Sequence, residues 1–137
     1  MAIRYEWRGA FQNRDVLALH AEAFDYPPGS GEVDVWGRVT RHSLGWVCAR
    51  DGGRLVGFVN VAWDGAVHAF LLDTIVAPYA QRRGIGQELV RQATIGARAA
   101  GCDWLHVDFE PHLRAFYLEA CGFRSPEAGL IGLSGQV

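Results

Sequence analysis

Residues 81–86 read Gln81-Arg82-Arg83-Gly84-Ile85-Gly86, and the chain on either side of them decides the fold. The apolar run 67–76 before this stretch predicts a strand. After it, Ile85, Leu89 and Ala93 recur at nearly four-residue spacing, which predicts a helix with one apolar face. A helix that begins at such a loop offers unpaired backbone N–H groups and the positive end of its dipole. The stretch therefore predicts a phosphate-binding loop in an α/β domain.

The composition of the loop suits a pyrophosphate and differs from two known nucleotide-binding loops. Gly84 and Gly86 let the backbone approach the ligand closely, and Arg82 and Arg83 can reach further phosphate oxygens. A Walker loop requires a Gly-Lys pair, which the chain lacks. A dinucleotide fingerprint requires a third glycine where Leu89 stands.

The remaining patterns predict one domain over residues 1–137. Residues 3–7 predict a strand, Asn13 a cap for the helix that follows, and Val35, Trp36 and Val39 a short second helix. Runs 46–50, 54–63 and 67–76 are joined by Asp-Gly turns and predict an antiparallel meander.

Elements after the glycine loop complete an α/β (α+β, mixed-sheet) fold. Residues 104–109 predict a strand, and residues 113–120 carry a helical apolar stripe. Residues 130–133 predict a last strand. The predicted order is β-α-α-β-β-β-α-β-α-β, with no internal repeat or linker.

Bulk properties exclude several functional classes. The 137 residues carry a formal charge of −2, which argues against broad binding to nucleic acid or to anionic membranes. No apolar run approaches the roughly 20 residues that span a bilayer, and the first residues do not resemble a secretory signal, so we expect a cytoplasmic protein. Cys48, Cys102 and Cys121 form no CxxC pair, and the histidines show no metal-ligand spacing. We therefore expect neither a disulfide nor a metal.

Two segments resemble motifs of one superfamily. Residues 75–78, Ile-Val-Ala-Pro, followed by residues 81–86, are similar to the central motif of the GNAT N-acetyltransferase superfamily, Q/R-x-x-G-x-G/A after a V-x-P strand exit. Residues 116–123, FYLEACGF, resemble the FY-x-x-x-GF segment of that superfamily. One helix and one strand separate the two segments here, as they do there. The resemblance is strongest from about residue 70 to residue 123.

The resemblance implies an acyl-CoA-dependent N-acyltransferase fold with acetyl-CoA as the cofactor. In such proteins the fourth strand bulges and parts from the fifth, and the pantetheine arm lies in the opening. The main chain would pair with this arm, the Val76 N–H would polarise the thioester carbonyl, and backbone amides would hold the pyrophosphate. The implied cofactor-binding residues are Ile75, Val76, Gln81, Arg82, Arg83, Gly84, Ile85, Gly86 and Gln87. Residues 109–112 read Phe-Glu-Pro-His, so the contact of an asparagine common in relatives is not carried over.

The implied reaction is direct attack by a primary amine on the thioester carbonyl through a tetrahedral intermediate. Tyr117 matches the tyrosine that commonly protonates the leaving sulfur, and a phenol with a pKa of about 10 stays protonated at neutral pH. Asp73 is at a position that is often acidic in the superfamily and is our candidate base. His106, Asp108 and Glu110 compete with it, and deprotonation through water by several groups stays open.

Residues 24–36 are expected to form the acceptor pocket. They include Tyr26, Glu32 and Trp36, and aromatic rings with a few acids suit a cationic amine. We expect a small-molecule amine, with a protein N-terminus or lysine as the next choice. A non-catalytic acyl-CoA-binding or regulatory module would use the same loop. The resemblance also implies that a homodimer forms in many small members.

Overall fold

The structure, a computed structural model, describes residues 2–25, 31 and 33–135. Within these residues the strands are β1 (Ile3–Trp7), β2 (Ser43–Asp51), β3 (Arg54–Trp63), β4 (His68–Val76) and β5 (Trp104–His106). The α-helices are α1 (Asn13–Phe24), α2 (Val35–Arg41) and α3 (Ile85–Ala99). Two 3₁₀ turns, Pro78–Ala80 and Pro111–Leu113, and a π-helical segment, Ala115–Ala120, complete the order. No helix in the described part of the chain is long and apolar enough to cross a membrane.

The strands form one mixed sheet in the order β1-β2-β3-β4-β5. β1 to β4 pair antiparallel, and β5 lies parallel to β4. The predicted meander and the mixed α/β class are therefore confirmed, and β3 has the predicted bounds.

Helices cover both faces of this sheet. The ring of Phe58 in β3 lies 5.6 Å from that of Trp36 in α2. Its neighbour Gly57 faces Ile85 and Leu89 of α3. Because successive strand residues point to opposite faces, α2 and α3 lie on opposite sides of β3. α1 packs on α2 and on β3 and β4. The glycine loop, residues 81–84, thus lies where β4 ends and α3 begins.

The strand predicted over residues 130–133 is wrong. Residues 124–135 form no strand, and Leu130, Ile131 and Leu133 are 86%, 83% and 94% exposed. An apolar run becomes a strand only where a neighbouring strand edge pairs with it, and within the described residues this run pairs with none.

The predicted role of Asn13 is also wrong. The cap of α1 is Gln12, whose backbone N–H donates to the Asp15 carboxylate at 3.3 Å. Asn13 is the first residue of α1, and its side chain serves α2 instead. Its Nδ2 donates to the Val33 carbonyl at 3.1 Å, and its Oδ1 accepts from the Trp36 backbone N–H at 2.9 Å. Asn13 therefore joins the starts of the two helices.

Candidate active site

β4 carries one extra residue near its carboxyl end. Phe58 pairs with Ile75, whereas Asn60, two positions along β3, pairs with Leu72. The extra residue lies at Asp73, whose backbone is left-handed with φ of 56°. A bulge of this kind bends a strand and changes which face the following residues occupy. Ile75 therefore shares the α1–α2 face with Phe58 and is 1% exposed.

An opening separates β4 from the chain that follows β5. The parallel pairing covers three positions and ends where Phe70 meets His106. β4 continues to Val76, but residues 107–109 form no strand, so the strand predicted over 104–109 is shorter than expected. The two backbones part because the bulge turns β4 away, so no strand in the described part of the chain pairs with this edge of β4 beyond Phe70.

The backbone N–H of Val76 faces this opening. The next residue, Ala77, donates its N–H to the Val56 carbonyl of β3 at 2.8 Å. In an antiparallel pair, neighbouring residues direct their backbone groups to opposite sides, so those of Val76 point away from β3. The Val76 carbonyl accepts from Gln81 Nε2 at 3.2 Å. A donor at the opening is thus held in place by the start of the glycine loop.

The glycine loop adopts the conformation of an anion-binding turn. Arg82 and Gly84 are both left-handed, with φ of 65° and 77°, and Gly84 is the N-cap of α3. Left-handed residues within a turn direct successive N–H groups into one concavity. Nothing lies within 4 Å of the position that a Cβ of Gly84 would take. The first turn of α3 and the turn before it therefore direct backbone N–H groups towards an accessible space.

Gly86 has a packing role as well. A Cβ there would lie 3.2 Å from Cζ of Phe116, in the π-helical segment. Gln87 Nε2 donates to the Ala120 carbonyl at 2.9 Å. These two contacts hold the π-helical segment against the first turn of α3, beside the loop.

An acid in the first turn of α3 does not compete with a bound anion. Both oxygens of Glu88 accept from Arg91, each at 2.7 Å, and Gln92 donates to one of them at 3.1 Å. These hydrogen bonds lower the pKa of Glu88, with that from Arg91 the largest cause. The negative charge of Glu88 is thus compensated within the helix, and the positive end of the dipole stays available.

Tyr117 lies between the parted backbones. Its ring stacks on Phe109, beyond the end of β5, at 5.1 Å and 23°, and the Thr74 side chain, at the bulge of β4, lies near its hydroxyl. The residue is 7% exposed. Burial raises its pKa, and the neighbouring Thr74 hydroxyl opposes this only in part. The phenol is therefore held protonated at the opening.

The π-helical geometry places this tyrosine. The Cys121 N–H bonds to the Phe116 carbonyl at 2.9 Å, and the Phe123 N–H bonds to the Tyr117 carbonyl at 3.0 Å. These bonds span more residues than in an α-helix, as is frequent at functional sites.

Asp73 lies across the sheet from the glycine loop, on the side of α1. The residue is exposed to water, but protein atoms surround its carboxyl and raise its pKa, while the nearby His20 imidazole lowers it in part. The His20 ring lies 4.6 Å from that of Phe24 and 5.9 Å from that of Trp36. An acid and an imidazole among aromatic rings thus border the bulge on this side.

The predicted acceptor residues are only partly described. Trp36 is 6% exposed and packs in the core, and its indole N–H has no hydrogen-bond partner within the described residues. Tyr26 and Glu32 lie outside the described residues. Of the competing bases, His106 bonds to His68 at 2.9 Å, at the closed end of the opening. The Asp108 carboxylate is near enough to Tyr117 to help raise the pKa of that phenol. No cluster of potential metal ligands occurs in the residues that the structure describes.

Two residues of the site were missed from the sequence. Thr74 contacts Tyr117, and a signal for it was present, because Asp73-Thr74 is a polar pair that interrupts the alternation of β4. His20 is four residues before Phe24, and residues with this spacing lie on the same face of a helix.

Comparison with known proteins finds relatives by sequence and by fold. A sequence model of the acetyltransferase (GNAT) family matches residues 8–123. The mycothiol acetyltransferase of Mycobacteroides abscessus is 31% identical over 111 residues, which cover 75% of this chain and 38% of that protein. The chain thus spans well under half the length of this relative.

Solved structures share the fold. A GNAT-family acetyltransferase from Streptococcus pneumoniae has a TM-score of 0.78 at 24% identity, covering 98% of this chain and 100% of the other. An aminoglycoside N-acetyltransferase in complex with CoA has a TM-score of 0.75 at 15% identity, covering 98% and 96%. At these identities the likeness concerns the fold.

Proposed function

This chain belongs to the acetyltransferase (GNAT) family, and we propose that it transfers the acetyl group of acetyl-CoA to a primary amine of a small molecule. One observation carries the proposal: β4 parts from β5 beside a buried tyrosine and leads directly into the N-terminal loop of α3. A single opening thus joins an anion-binding turn, a free backbone donor and a protonated phenol.

The described residues fit the proposed cofactor. The left-handed turn at Arg82 and Gly84 offers N–H groups suited to a pyrophosphate, and Glu88 is neutralised by Arg91. The unpaired edge of β4 suits an extended pantetheine arm, which would lie against it as an added strand. We assign the pyrophosphate to residues 81–87 and the arm to Ile75 and Val76.

Acetyl-CoA, when bound, supplies an acetyl group activated as a thioester, whose carbonyl carbon the acceptor nitrogen attacks. The Val76 N–H points into the opening, where it would donate to the thioester oxygen as negative charge develops there. A donor fixed by the backbone needs no reorganisation during the reaction. Its position is maintained by the bond from Gln81 to the Val76 carbonyl.

Tyr117 is the proposed acid. Its raised pKa keeps the hydroxyl protonated in the neutral range, so it can donate to a leaving thiolate whose conjugate acid has a pKa of about 8.5. The stacking of its ring on Phe109 orients the phenol beside the bulge.

Asp73 is the proposed base. Burial raises the pKa of its carboxyl, which makes it a better proton acceptor than an ordinary surface aspartate. The carboxylate would also attract the cationic form of the amine before the proton is removed. The rings of Phe24 and His20 offer an aromatic surface on this side of the bulge.

Calorimetry and a thiol-release assay test these assignments in sequence. Acetyl-CoA and CoA are titrated into the protein, with ATP as the control nucleotide, and amines are then screened for CoA release. Binding of both CoA species but not ATP, followed by release with a small amine, is expected. Absence of CoA binding would remove the basis of the proposal.

Tyr117→Phe separates the enzyme from a non-catalytic acyl-CoA-binding module. If the chain is an enzyme, this variant keeps its CoA affinity and loses turnover. Release of CoA with peptides but with no small amine would assign the acceptor to proteins instead.

A further inference from the structure

Four side chains on one face of β4 and β5 form an exposed and largely apolar surface, the β4–β5 patch. Its members are Phe70, Leu72, Trp104 and His106. Phe70 pairs with His106 across the two strands. Directly paired residues, and residues two apart in a strand, share a face, so all four side chains lie on the same side of the sheet. Phe70, Leu72 and Trp104 are 38%, 40% and 53% exposed, and His106 is exposed as well.

The patch lies on the face of the sheet that carries α1 and α2. Phe70 pairs with Ala62 of β3, and Ala62 shares the side of Phe58, the residue that contacts α2. On the opposite face, Ala69 and Leu71 of β4 are buried. The uncovered part of the sheet is therefore confined to the α1–α2 face. A contiguous apolar surface of this kind marks a binding site more often than scattered apolar side chains do.

Ring contacts fix the shape of the patch. The Phe70 ring stacks on that of His106 at 4.8 Å and 18°, and Nε2 of His106 lies 2.9 Å from Nδ1 of His68. His106 therefore covers one face of the Phe70 ring. On the other side of Phe70 the paired residue is Ala62, whose single methyl group covers little of the second face. That face is left to a ligand.

The patch leads directly to the proposed reaction centre. Leu72 precedes Asp73, which is the residue of the bulge and the proposed base. At about 3.3 Å for each strand residue, Leu72 and Phe70 lie roughly 3 Å and 10 Å from Asp73 along β4. An amine whose nitrogen lies at Asp73 would therefore place a substituent on Leu72 and Phe70 if a spacer of about two carbon atoms joins them.

The chemistry of the patch favours an aromatic substituent over a hydroxylated one. Leu72 and Phe70 have no polar side-chain atom, so a sugar hydroxyl placed on them would lose its water without gaining a partner. An aromatic ring gains free energy there, both by leaving water and by contact with the Phe70 ring. Asp73 adds one negative charge, which matches one ammonium group.

We propose that the acceptor is an aromatic monoamine whose ammonium group lies at Asp73 and whose ring lies on Leu72 and Phe70. This inference rests on the proposed function, because it names the acceptor of the same transfer. The nitrogen forms its bond to the acetyl carbon as the carbon–sulfur bond breaks. It gives one proton to Asp73, and Tyr117 gives one to the sulfur.

The experiment compares 2-phenylethylamine with ethylamine, which lacks the ring, and with glucosamine, whose ring is hydroxylated. CoA release gives kcat/KM for each amine, and calorimetry on the protein saturated with CoA gives each Kd without turnover. Both are repeated with Phe70→Ala and with the matched control Ile95→Ala. Ile95 is 45% exposed, close to the 38% of Phe70, but it lies on α3 and outside the patch.

The wild type is expected to favour 2-phenylethylamine over ethylamine by about 10- to 100-fold in kcat/KM and in Kd, because one ring leaves water. Phe70→Ala should reduce this preference by about 5- to 30-fold, and Ile95→Ala should keep it. Equal values for 2-phenylethylamine and ethylamine would overturn the proposal. So would a preference for glucosamine, or a preference for the ring that survives Phe70→Ala.

Failure of the proposed function gives a different pattern. If no amine releases CoA but 2-phenylethylamine binds in a way that depends on Phe70, acetyl transfer is refuted and the patch remains an amine site. If CoA is released without a preference for the ring, only the aromatic acceptor is refuted. Absence of both release and binding would refute both proposals. A dimer that Phe70→Ala dissociates would assign the patch to a second copy and refute the aromatic acceptor alone.

Discussion

Gly84→Asp, compared with Gly101→Asp, gives the sharpest test of the cofactor loop. Gly84 precedes α3 and Gly101 follows it, with φ of 77° and 91°. Nothing lies within 4 Å of the Cβ position at either glycine. The two substitutions therefore introduce the same strain and the same charge, and they differ in which end of the helix receives them.

The expected loss of affinity follows from charge repulsion. A carboxylate at residue 84 would stand at about 5 Å from a bound phosphate, where an effective dielectric of about 20–40 gives a repulsion of about 1.7–3.3 kcal/mol per unit charge. This energy corresponds to a rise in the Kd for acetyl-CoA of about 20- to 250-fold. At Gly101, a whole helix away, the charge should leave the Kd unchanged.

The control variant, Gly101→Asp, should be destabilised more than Gly84→Asp, so a loss of stability cannot explain a loss of affinity in Gly84→Asp alone. A negative charge is favourable near the N-terminus of a helix and unfavourable near its C-terminus, by about 0.3–1 kcal/mol in each case. Gly101→Asp should therefore be the less stable variant in urea unfolding, although it keeps its affinity in calorimetry. Equal affinity losses in the two variants would refute the assignment of residues 81–87, and so would an unchanged Kd for Gly84→Asp.

Three further predictions concern catalysis and stability. Tyr117→Phe should lower the rate of CoA release by about 10²- to 10⁴-fold at an unchanged Kd for acetyl-CoA, because the buried phenol is the proposed proton donor. An unchanged rate would refute this role of Tyr117. Asp73→Asn should lower turnover and yet resist urea better than the wild type at pH 8, with the difference vanishing at acidic pH. The sign follows from the raised pKa of Asp73, whose stabilising contribution is present below the ordinary carboxyl pKa and is lost as the pH rises through the raised value. Leu89→Ala should cost about 2–5 kcal/mol in urea unfolding, because the side chain is fully buried; a smaller cost would mean that the site collapses around the cavity.

Local sequence patterns were enough to predict the helices, strands and turns that are specified by residues close in sequence. The Asp-Gly turns predicted the meander, and the apolar stripe of Ile85, Leu89 and Ala93 predicted a helix where α3 begins. The glycine loop was visible because its left-handed conformation requires a special residue at Gly84. In each of these cases the deciding contact is close in sequence.

Features that depend on distant contacts were not accessible from the sequence. Asn13 has the residue type of a helix cap, but its partners Val33 and Trp36 are known only once α1 meets α2. The run 130–133 has strand composition, but it pairs with no strand among the residues that the structure describes. The π-helical geometry around Tyr117 likewise depends on tertiary contacts, since its sequence shows only a helical stripe.

The bulge at Asp73 is a local change in β4 that alters contacts with distant parts of the chain. Without the extra residue, strict alternation would place Asp73 and Ile75 on one face and would let β4 continue beside residues 107–109. With it, Ile75 enters the α1–α2 core, and the Val76 N–H is left facing an opening that Tyr117 borders. The left-handed backbone of Asp73 is a cost that an uninterrupted strand would avoid. The position of this acid at the residue that creates the opening fits its proposed role as the base. Asn at residue 73 tolerates the same left-handed backbone, so Asp73→Asn removes the charge without changing the bulge and tests that role through turnover.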